Sequence, residues 1–285
     1  MDQHNLQVPT DAQSFLAPAK LNLDLRIIGR RDDGYHLLES VFTLISLYDR
    51  IWFKVNKSGK IRLRTPTIGV RPQQDLTVRA AKLLPQPHGE MLGVDMWMQK
   101  NIPIGGGLGG GSSDAALVLL VLNKLWQLNL NQTQLVKLGV QLGADVPFFL
   151  FGETAFAQGI GDKLTKIQIP KQWYVVVKPS VHVSTAQIFA HKDLTRNSTP
   201  RIMPDFQARQ HWRNDMQSVV IAEYPEVKNA LDVLAEFGKP MMSGSGSCVF
   251  LAFDCENAAH AVYNQVSSAY QAYCVASLNR HPFYK

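Results

Sequence analysis

The sequence has few of the features that mark a secreted, membrane-bound or zinc-binding protein. Three of its 285 residues are cysteines, Cys248, Cys255 and Cys274. They have no CxxC spacing, and any disulfide scheme leaves one unpaired, so we expect a reducing compartment. No apolar run approaches the roughly 20 residues that span a bilayer, and residues 1–16 contain acids but no arginine, unlike a targeting peptide. These absences predict a cytoplasmic protein without a membrane partner.

Basic residues outnumber acidic ones, but they are not concentrated. The formal net charge of +6 at pH 7 suits an acidic ligand. The lysines and arginines are scattered along strand-like segments, which is typical of a solvated face rather than of a nucleic-acid surface. We expect a small-molecule substrate, no nucleic acid, and a monomer or weak homodimer.

The length and the hydrophobic periodicity predict two domains, which we place at residues 1–155 and 156–285. Residues 195–210 are polar and contain proline, so we expect a loop there, and a short helix should follow Ser184 or Thr185. A second Gly/Ser-rich stretch, residues 243–247, is either a plain connection or a lid. The remaining periodic segments are predicted as strands at 20–27, 41–47, 51–55, 61–63, 94–100, 173–178, 248–253 and 272–276, and as helices at 75–84, 133–142, 215–223, 225–237 and 257–271.

Glycine, in contrast, is unusually concentrated in one place. Six glycines surround Leu108 within residues 103–114, and an apolar helix that runs to about Trp126 follows directly. Such a run is destabilising unless the backbone itself has a function. Amide groups without neighbouring Cβ atoms, at the start of a helix, can enclose an anion. We therefore predict a phosphate-binding loop formed by Pro103, Ile104, Gly105, Gly106, Gly107, Leu108, Gly109, Gly110, Gly111, Ser112 and Ser113.

Known phosphate motifs fit this loop only in part. The dinucleotide fingerprint needs an acidic residue about 20 positions further on, but residues 128–132 contain none. The P-loop pattern places its lysine at Gly111, so a cation for the phosphates has to come from elsewhere. A flexible linker is the remaining alternative. The strand-like alternation before the loop and the apolar helix after it argue against a linker.

Lys20 lies in a segment that alternates from residue 20 to residue 27 and is predicted to be a half-buried strand. Lys20, Asn22, Asp24 and Arg26 share the face opposite the leucines. From the periodicity alone, this polar face is more compatible with solvent than with a site.

Two further places in the sequence carry side chains that could act in catalysis or binding, but a simpler structural explanation exists for each. Asp145 lies between Gly143 and an apolar run, where a carboxylate needs a partner or loses its charge, although a local helix cap is an equal alternative. Tyr35 and His36 follow a glycine turn. They could stack on and hydrogen-bond a planar base, or form an ordinary loop pair.

Several of these segments, taken in order, resemble the kinase superfamily of galactokinase, homoserine kinase and mevalonate kinase. The resemblance covers residues 18–23, 103–114, 143–147 and 243–247, and the Asp-Gly-Tyr-His segment at residues 33–36 is similar to the branch that acts on a cytidine diphosphate derivative in the non-mevalonate isoprenoid pathway. It implies an α+β, two-domain small-molecule kinase fold. An N-terminal β/α domain and a C-terminal α+β domain would enclose the site in the cleft between them.

The resemblance also implies roles for individual residues. Asp145 would be the general base and Lys20 its catalytic partner, with ATP as co-substrate held by the glycine loop. Magnesium would accompany the nucleotide, with metal ligands unknown. The substrate would be contacted by Asn22, Tyr35, His36, Thr185 and Phe189.

The sequence differs from the family pattern at one position, and two alternative functions remain. Relatives often have Asp-Asn-Leu where this chain has Gln74-Asp75-Leu76, which puts an asparagine contact in doubt. A sister kinase of another small alcohol would share the loop but would have no use for Tyr35 and His36. A catalytically silent nucleotide-binding module would not need both Lys20 and Asp145.

Overall fold

The computed structural model describes residues 6–67, 69–87, 91–201 and 212–285. Ten strands form one sheet in these ranges. They are β1 (Gln13–Arg30), β2 (His36–Asn56), β3 (Ile61–Leu63), β4 (Gly93–Gln99), β5 (Ala155–Gln158), β6 (Lys163–Lys166), β7 (Trp173–Lys178), β8 (Met241–Met242), β9 (Val249–Phe253) and β10 (Gln271–Leu278).

Eight α-helices cover this sheet in the same ranges. They are α1 (Leu76–Leu83), α2 (Gly110–Leu125), α3 (Gln132–Val140), α4 (Val146–Phe151), α5 (Thr185–Ala190), α6 (Gln217–Glu223), α7 (Pro225–Ala235) and α8 (Glu256–Val266), and a short 3₁₀ turn follows at Pro282–Tyr284. None of the helices in the described ranges has the length and hydrophobicity that crossing a bilayer requires.

The paired strands β1 and β2 organise the sheet. They run antiparallel along their whole length, with register shifts at three places in β1. The sheet continues from β2 through β4 to β3 on one side, and through β10 to β7, β9 and β8 on the other. Because β10 pairs with both β2 and β7, it joins the two halves of the chain.

Strand β1 also connects separate hydrophobic cores. Ala17, near its start, belongs to a core built with α1, α2 and α4. Leu25 and Ile27, near its end, belong to a core built with α6, α7 and α8. The residues between them, including Lys20 and Asn22, therefore lie where the two halves meet.

Periodicity alone favours a solvent face for residues 20–27, whereas the family resemblance implies that Lys20 and Asn22 line a cleft, and the structure agrees with the second expectation. Lys20, Asn22 and Asp24 are only 3%, 2% and 3% exposed. Two loops that the periodicity could not reveal lie along the edge of β1 at these residues: the backbone N–H of Lys20 donates to the carbonyl of Leu108 over 3.0 Å, and the N–H of Asn22 donates to Ser243 Oγ over 3.3 Å. On the polar face itself, Asn22 and Asp24 bond to neighbouring groups, Ser40 Oγ and the N–H of Arg213.

Most predicted elements are confirmed, with two differences and one segment that is only partly described. The strands expected at 41–47 and 51–55 are parts of the single strand β2. The apolar residues after Asp145 form helix α4, which begins with Pro147 in its first turn, the position where proline is tolerated. The expected loop at 195–210 has no helix or strand at residues 195–201, and the rest of it lies outside the described residues.

Candidate active site

The polar face of β1 opens into a cleft of about 850 Å³ at the junction of the two halves. Both predicted catalytic residues and every predicted substrate residue line this cleft. These residues are Lys20, Asn22, Tyr35, His36, Asp145, Thr185 and Phe189. Four residues of the glycine loop also line it, so the structure brings together positions that are far apart in the sequence.

Lys20 is held in a polar and aromatic environment on the cleft wall. Its Nζ lies 3.5 Å from Asp145 Oδ2 and donates to Asn22 Oδ1 over 2.5 Å. The ammonium also lies 5.3 Å from the centroid of the Phe42 ring. Asn22 in turn donates to Ser40 Oγ over 2.8 Å, which orients its amide. Buried polar groups that are hydrogen-bonded in this way keep a defined geometry.

Asp145 does not act as the local cap that its sequence position allows. It occupies the N-cap position of α4, but its side chain makes no capping hydrogen bond. One carboxylate oxygen is directed to Lys20 instead, and a third of the side chain is exposed in the cleft. The carboxylate is therefore paired yet accessible to a ligand.

The glycine loop adopts the backbone that its composition predicts. Gly105, Gly107 and Gly109 have φ values of 69°, 73° and 72°, a region that disfavours other residues. A Cβ atom at Gly107 would lie 2.1 Å from the carbonyl oxygen of Ser243. Gly109 is the N-cap of α2 and offers no side chain, so the amides of the first helical turn remain available to an anion.

Residues 243–247 pack directly against this loop. Ser243 Oγ donates to the carbonyl of Gly107 over 3.1 Å, and the N–H of Cys248 donates to the carbonyl of Gly106 over 3.1 Å. Thr185 Oγ1 lies 2.6 Å from Ser245 Oγ. The two glycine-containing loops thus form one layer between the halves of the chain.

A second cavity, of about 380 Å³, lies on the other side of the glycine loop. Every residue from Pro103 to Ser112 lines it, together with Gln74 and Asp75. Asp75 caps α1 by accepting from the N–H of Thr77 over 2.9 Å. Ser113 is the exception among the predicted loop residues, because its hydroxyl is buried and donates to the carbonyl of Pro18 over 2.6 Å.

Basic side chains lie close to four glycines of the loop. A Cβ atom built on each of four loop glycines would lie within 3.6 Å of a different basic side chain. The pairs are Gly105 with His182, Gly106 with Lys178, Gly109 with Lys20, and Gly110 with Lys100. The loop is therefore surrounded by positive or ionisable groups.

Lys100 also belongs to a buried ionic cluster beneath the loop. Its Nζ contacts Asp49 Oδ2 and lies 2.6 Å from Asp114 Oδ2. Asp49 Oδ1 accepts from the backbone N–H groups of Asn101 and Ile102 over 2.6 and 2.8 Å. The pKa of Asp114 is raised to about 8, mainly because the group is buried. The charge of Asp49 adds to this rise, and the charge of Lys100 opposes it. One cation thus serves two buried carboxylates.

The residues predicted to bind the base, Tyr35, His36 and Phe189, line the same cleft. Tyr35 is 62% exposed. The rings of His36 and Phe189 are stacked, with centroids 4.8 Å apart and an interplanar angle of 24°. Arg196 Nε donates to His36 Nε2 over 3.2 Å.

The sequence interpretation did not identify Arg196, Lys100 or Asp114. Arg196 lies in a polar loop with no periodicity. Lys100, in contrast, had a usable signal, because it is the last basic residue before the glycine run.

Comparisons with known proteins agree on one family. Models for the GHMP kinase N-terminal and C-terminal domains match residues 75–153 and 202–272. The 4-diphosphocytidyl-2-C-methyl-D-erythritol kinase of Neisseria gonorrhoeae strain NCCP11945 is 56% identical over 277 residues, which cover 97% of this chain and 99% of that protein. The kinase of the same name from Nitrosospira multiformis is 49% identical and covers 96% and 95%.

Solved structures give the same fold. A crystal structure of 4-(cytidine 5'-diphospho)-2C-methyl-D-erythritol kinase matches with a TM-score of 0.81 and 32% identity, over 93% of this chain and 99% of that one. The mevalonate kinase of Methanococcus jannaschii, at 14% identity and a TM-score of 0.67 over 95% and 100% of the two chains, shares the fold alone.

Proposed function

Because the chain belongs to the 4-diphosphocytidyl-2-C-methyl-D-erythritol kinases within the GHMP kinase family, we propose that it transfers the γ-phosphate of ATP to the 2-hydroxyl of that cytidine compound. The reaction would belong to the non-mevalonate route to isoprenoid precursors. The observation that supports this proposal best is the Lys20–Asp145 pair, which faces a cleft that the glycine loop also lines.

In this proposal Asp145 is the general base. Its partly exposed carboxylate can accept the proton of the acceptor hydroxyl as the oxygen attacks phosphorus. Lys20 Nζ, which lies 3.5 Å from this carboxylate, stabilises the negative charge that develops on the transferred group. Phosphoryl transfer depends mainly on positioning and charge stabilisation, which this arrangement supplies.

The glycine loop would hold the ATP phosphates. Amides at the start of α2 are directed towards an anion, and the positive end of the helix dipole adds to the attraction. His182, which lies against Gly105, would supply a basic group that the loop itself lacks.

The cytidine end of the substrate would bind at the far end of the cleft. Tyr35 has an exposed ring that can stack on a base. His36 can donate a hydrogen bond to the base. The ring of Phe189 stacks on the imidazole of His36 and holds it in place. Thr185 would contact the ligand nearby, and Asn22 would contact the erythritol part beside Lys20.

Magnesium is the ion we propose to accompany the nucleotide. No group of three or more His, Cys, Asp or Glu in the described ranges is placed to hold a metal alone. Magnesium usually binds one or two carboxylates together with substrate phosphates. The hydroxyl oxygen of Ser112, which lines the cleft, would be available to the ion beside the phosphates. The ion would neutralise phosphate charge there.

We also propose the division at residue 155 as the functional boundary. Residues 1–155 carry Lys20, Asp145 and the glycine loop, whereas residues 156–285 contribute Thr185, Phe189 and the second loop. Substrate would then be enclosed between the two parts.

The test is ADP release from ATP and magnesium, with the diphosphocytidyl methylerythritol offered beside galactose, mevalonate and homoserine. We expect turnover with the cytidine compound alone. Turnover with another alcohol would identify a sister kinase. ATP binding without ADP release for any acceptor would favour the silent nucleotide-binding module.

A further inference from the structure

Arg196 is held rigidly at the edge of the base-binding end of the cleft. Its Nε donates to His36 Nε2 over 3.2 Å. The rest of the guanidinium donates to three backbone carbonyls of the same loop. These are the oxygens of Leu194 at 3.1 Å, Phe189 at 3.0 Å and His191 at 2.7 Å. Four donors that are fixed by four acceptors leave the group little freedom to rotate.

This contact determines which nitrogen of His36 carries the proton. A guanidinium is always a donor and cannot accept a hydrogen bond. Nε2 of His36 must therefore be the unprotonated nitrogen, which leaves the ring neutral with its hydrogen on Nδ1. Burial lowers the pKa of His36, and the facing charges of Arg196 and Arg30 lower it further. Both effects favour the neutral ring.

The remaining nitrogen of His36 is available to a ligand. The ring lines the cleft, and in the described part of the chain Nδ1 has no hydrogen-bond partner. Phe189 stacks on the imidazole and limits its tilt. His36 therefore presents one N–H donor of fixed direction beside the exposed ring of Tyr35.

We propose that Arg196 is a positioning residue that fixes His36 as an Nδ1–H donor and thereby makes the site select cytosine over uracil. This inference rests on the proposed function, since it concerns the base of that substrate. Cytosine presents acceptors at both N3 and O2, whereas uracil carries a hydrogen on N3. A fixed donor matches the first base and opposes the N3–H of the second. A histidine free to exchange tautomers could serve either base.

The experiment compares kcat/KM for the cytidine substrate and for its uridine counterpart. In the wild type we expect a strong preference for cytidine. Arg196→Met, which keeps length but removes every donor, should reduce the cytidine-to-uridine ratio by about tenfold or more, the scale of one mismatched buried hydrogen bond. KM for ATP should change little, because the four hydrogen bonds of Arg196 described above go to residues outside the glycine loop.

Arg30→Met is the matched control. Arg30 also places a positive charge near His36, but its Nε donates to the carbonyl of Gly34 and not to the imidazole. We expect the cytidine-to-uridine ratio to be maintained in this variant. An equal fall in both variants would mean that general positive charge, and not the hydrogen bond, sets the preference.

A double-variant cycle separates this role from simple loop support. In a His36→Ala background, Arg196→Met should no longer change the ratio. An unchanged effect in that background would overturn the proposal. Nitrogen NMR of the wild-type protein gives an independent test, in which a neutral His36 with its proton on Nε2 would also overturn it. Failure of the wild type to use either compound would contradict the proposed function itself.

Discussion

Lys20 and Lys100 lie beside the same glycine loop, with 4% and 20% of their side chains exposed, but their partners differ. Lys20 has one carboxylate partner, Asp145, at 3.5 Å, and that side chain is 33% exposed. Lys100 has two carboxylate partners, Asp49 and Asp114, whose side chains are 0% and 3% exposed. The carboxylate of the first pair is accessible from the cleft, whereas those of the second cluster are almost fully covered by protein.

The difference supports the catalytic role that we propose for the Lys20–Asp145 pair and a structural role for the Lys100 cluster. Asp49 belongs to β2, Lys100 follows β4 and Asp114 belongs to α2, so the cluster ties three elements together where the chain enters the loop. Its charges are expensive to bury and need each other. The Lys20–Asp145 pair retains solvent access, so its carboxylate can exchange a proton with a ligand. Burial of the partner therefore distinguishes the two lysines better than burial of the lysine does.

The largest expected effect comes from Asp145→Asn. We expect turnover to fall by about 10²–10⁴, the usual contribution of a general base, while the free energy of unfolding changes by less than about 1 kcal/mol, as for a partly exposed ion pair. Steady-state ADP release and urea unfolding measure the two quantities. ATP binding should be nearly intact.

A variant that keeps most of its turnover would show that the carboxylate is structural. A large loss of stability would show that the pair resembles the Lys100 cluster after all. Either outcome would remove the contrast between the two lysines.

The second prediction concerns Lys100→Met, which should reduce the free energy of unfolding. This change removes the cation that lies between the buried carboxyl groups of Asp49 and Asp114, and breaking a buried ionic group costs about 3–5 kcal/mol. Urea unfolding measures the loss. Lys137→Met on the exposed face of α3 is the control and should change stability by no more than about 0.5 kcal/mol. Equal stability of Lys100→Met and wild type would mean that the cluster contributes specificity only.

The sequence was sufficient to predict the glycine loop but not the residues that pack around it. Residues 103–114 could be interpreted because glycine has a local conformational cost that is independent of the fold. The burial of Lys20 could not, since periodicity describes one strand and the covering loop at Ser243 is 221 positions away from Asn22. Helix α4 was missed because a six-residue apolar run fits strand and helix alike.

The site shows the same limit. Pairing of Lys20 with Asp145 followed from the family resemblance, not from spacing, and the roles of Tyr35 and His36 still depend on the substrate. Arg196 acts through one hydrogen bond between residues 160 positions apart. No local pattern records such a contact.

The smallest expected effect depends on pH and sharpens the comparison. Burial raises the pKa of Asp114 from 3.8 to about 8, so between these values the folded protein holds a proton that the unfolded chain releases. Wild-type stability should therefore fall as the pH rises through this window. Asp114→Asn cannot titrate and should be more stable than the wild type at pH 9 by about 1 kcal/mol or more, with little difference near pH 4.

Urea midpoints of the two proteins between pH 4 and pH 9 test this expectation. Asp232→Asn is the control, because Asp232 is exposed and pairs with Lys228 on the surface of α7. Its curve should run parallel to that of the wild type across the range. Parallel curves for Asp114→Asn as well would mean that Lys100 keeps both of its carboxylates ionised. The enclosed cluster would then differ from the Lys20–Asp145 pair in solvent access alone.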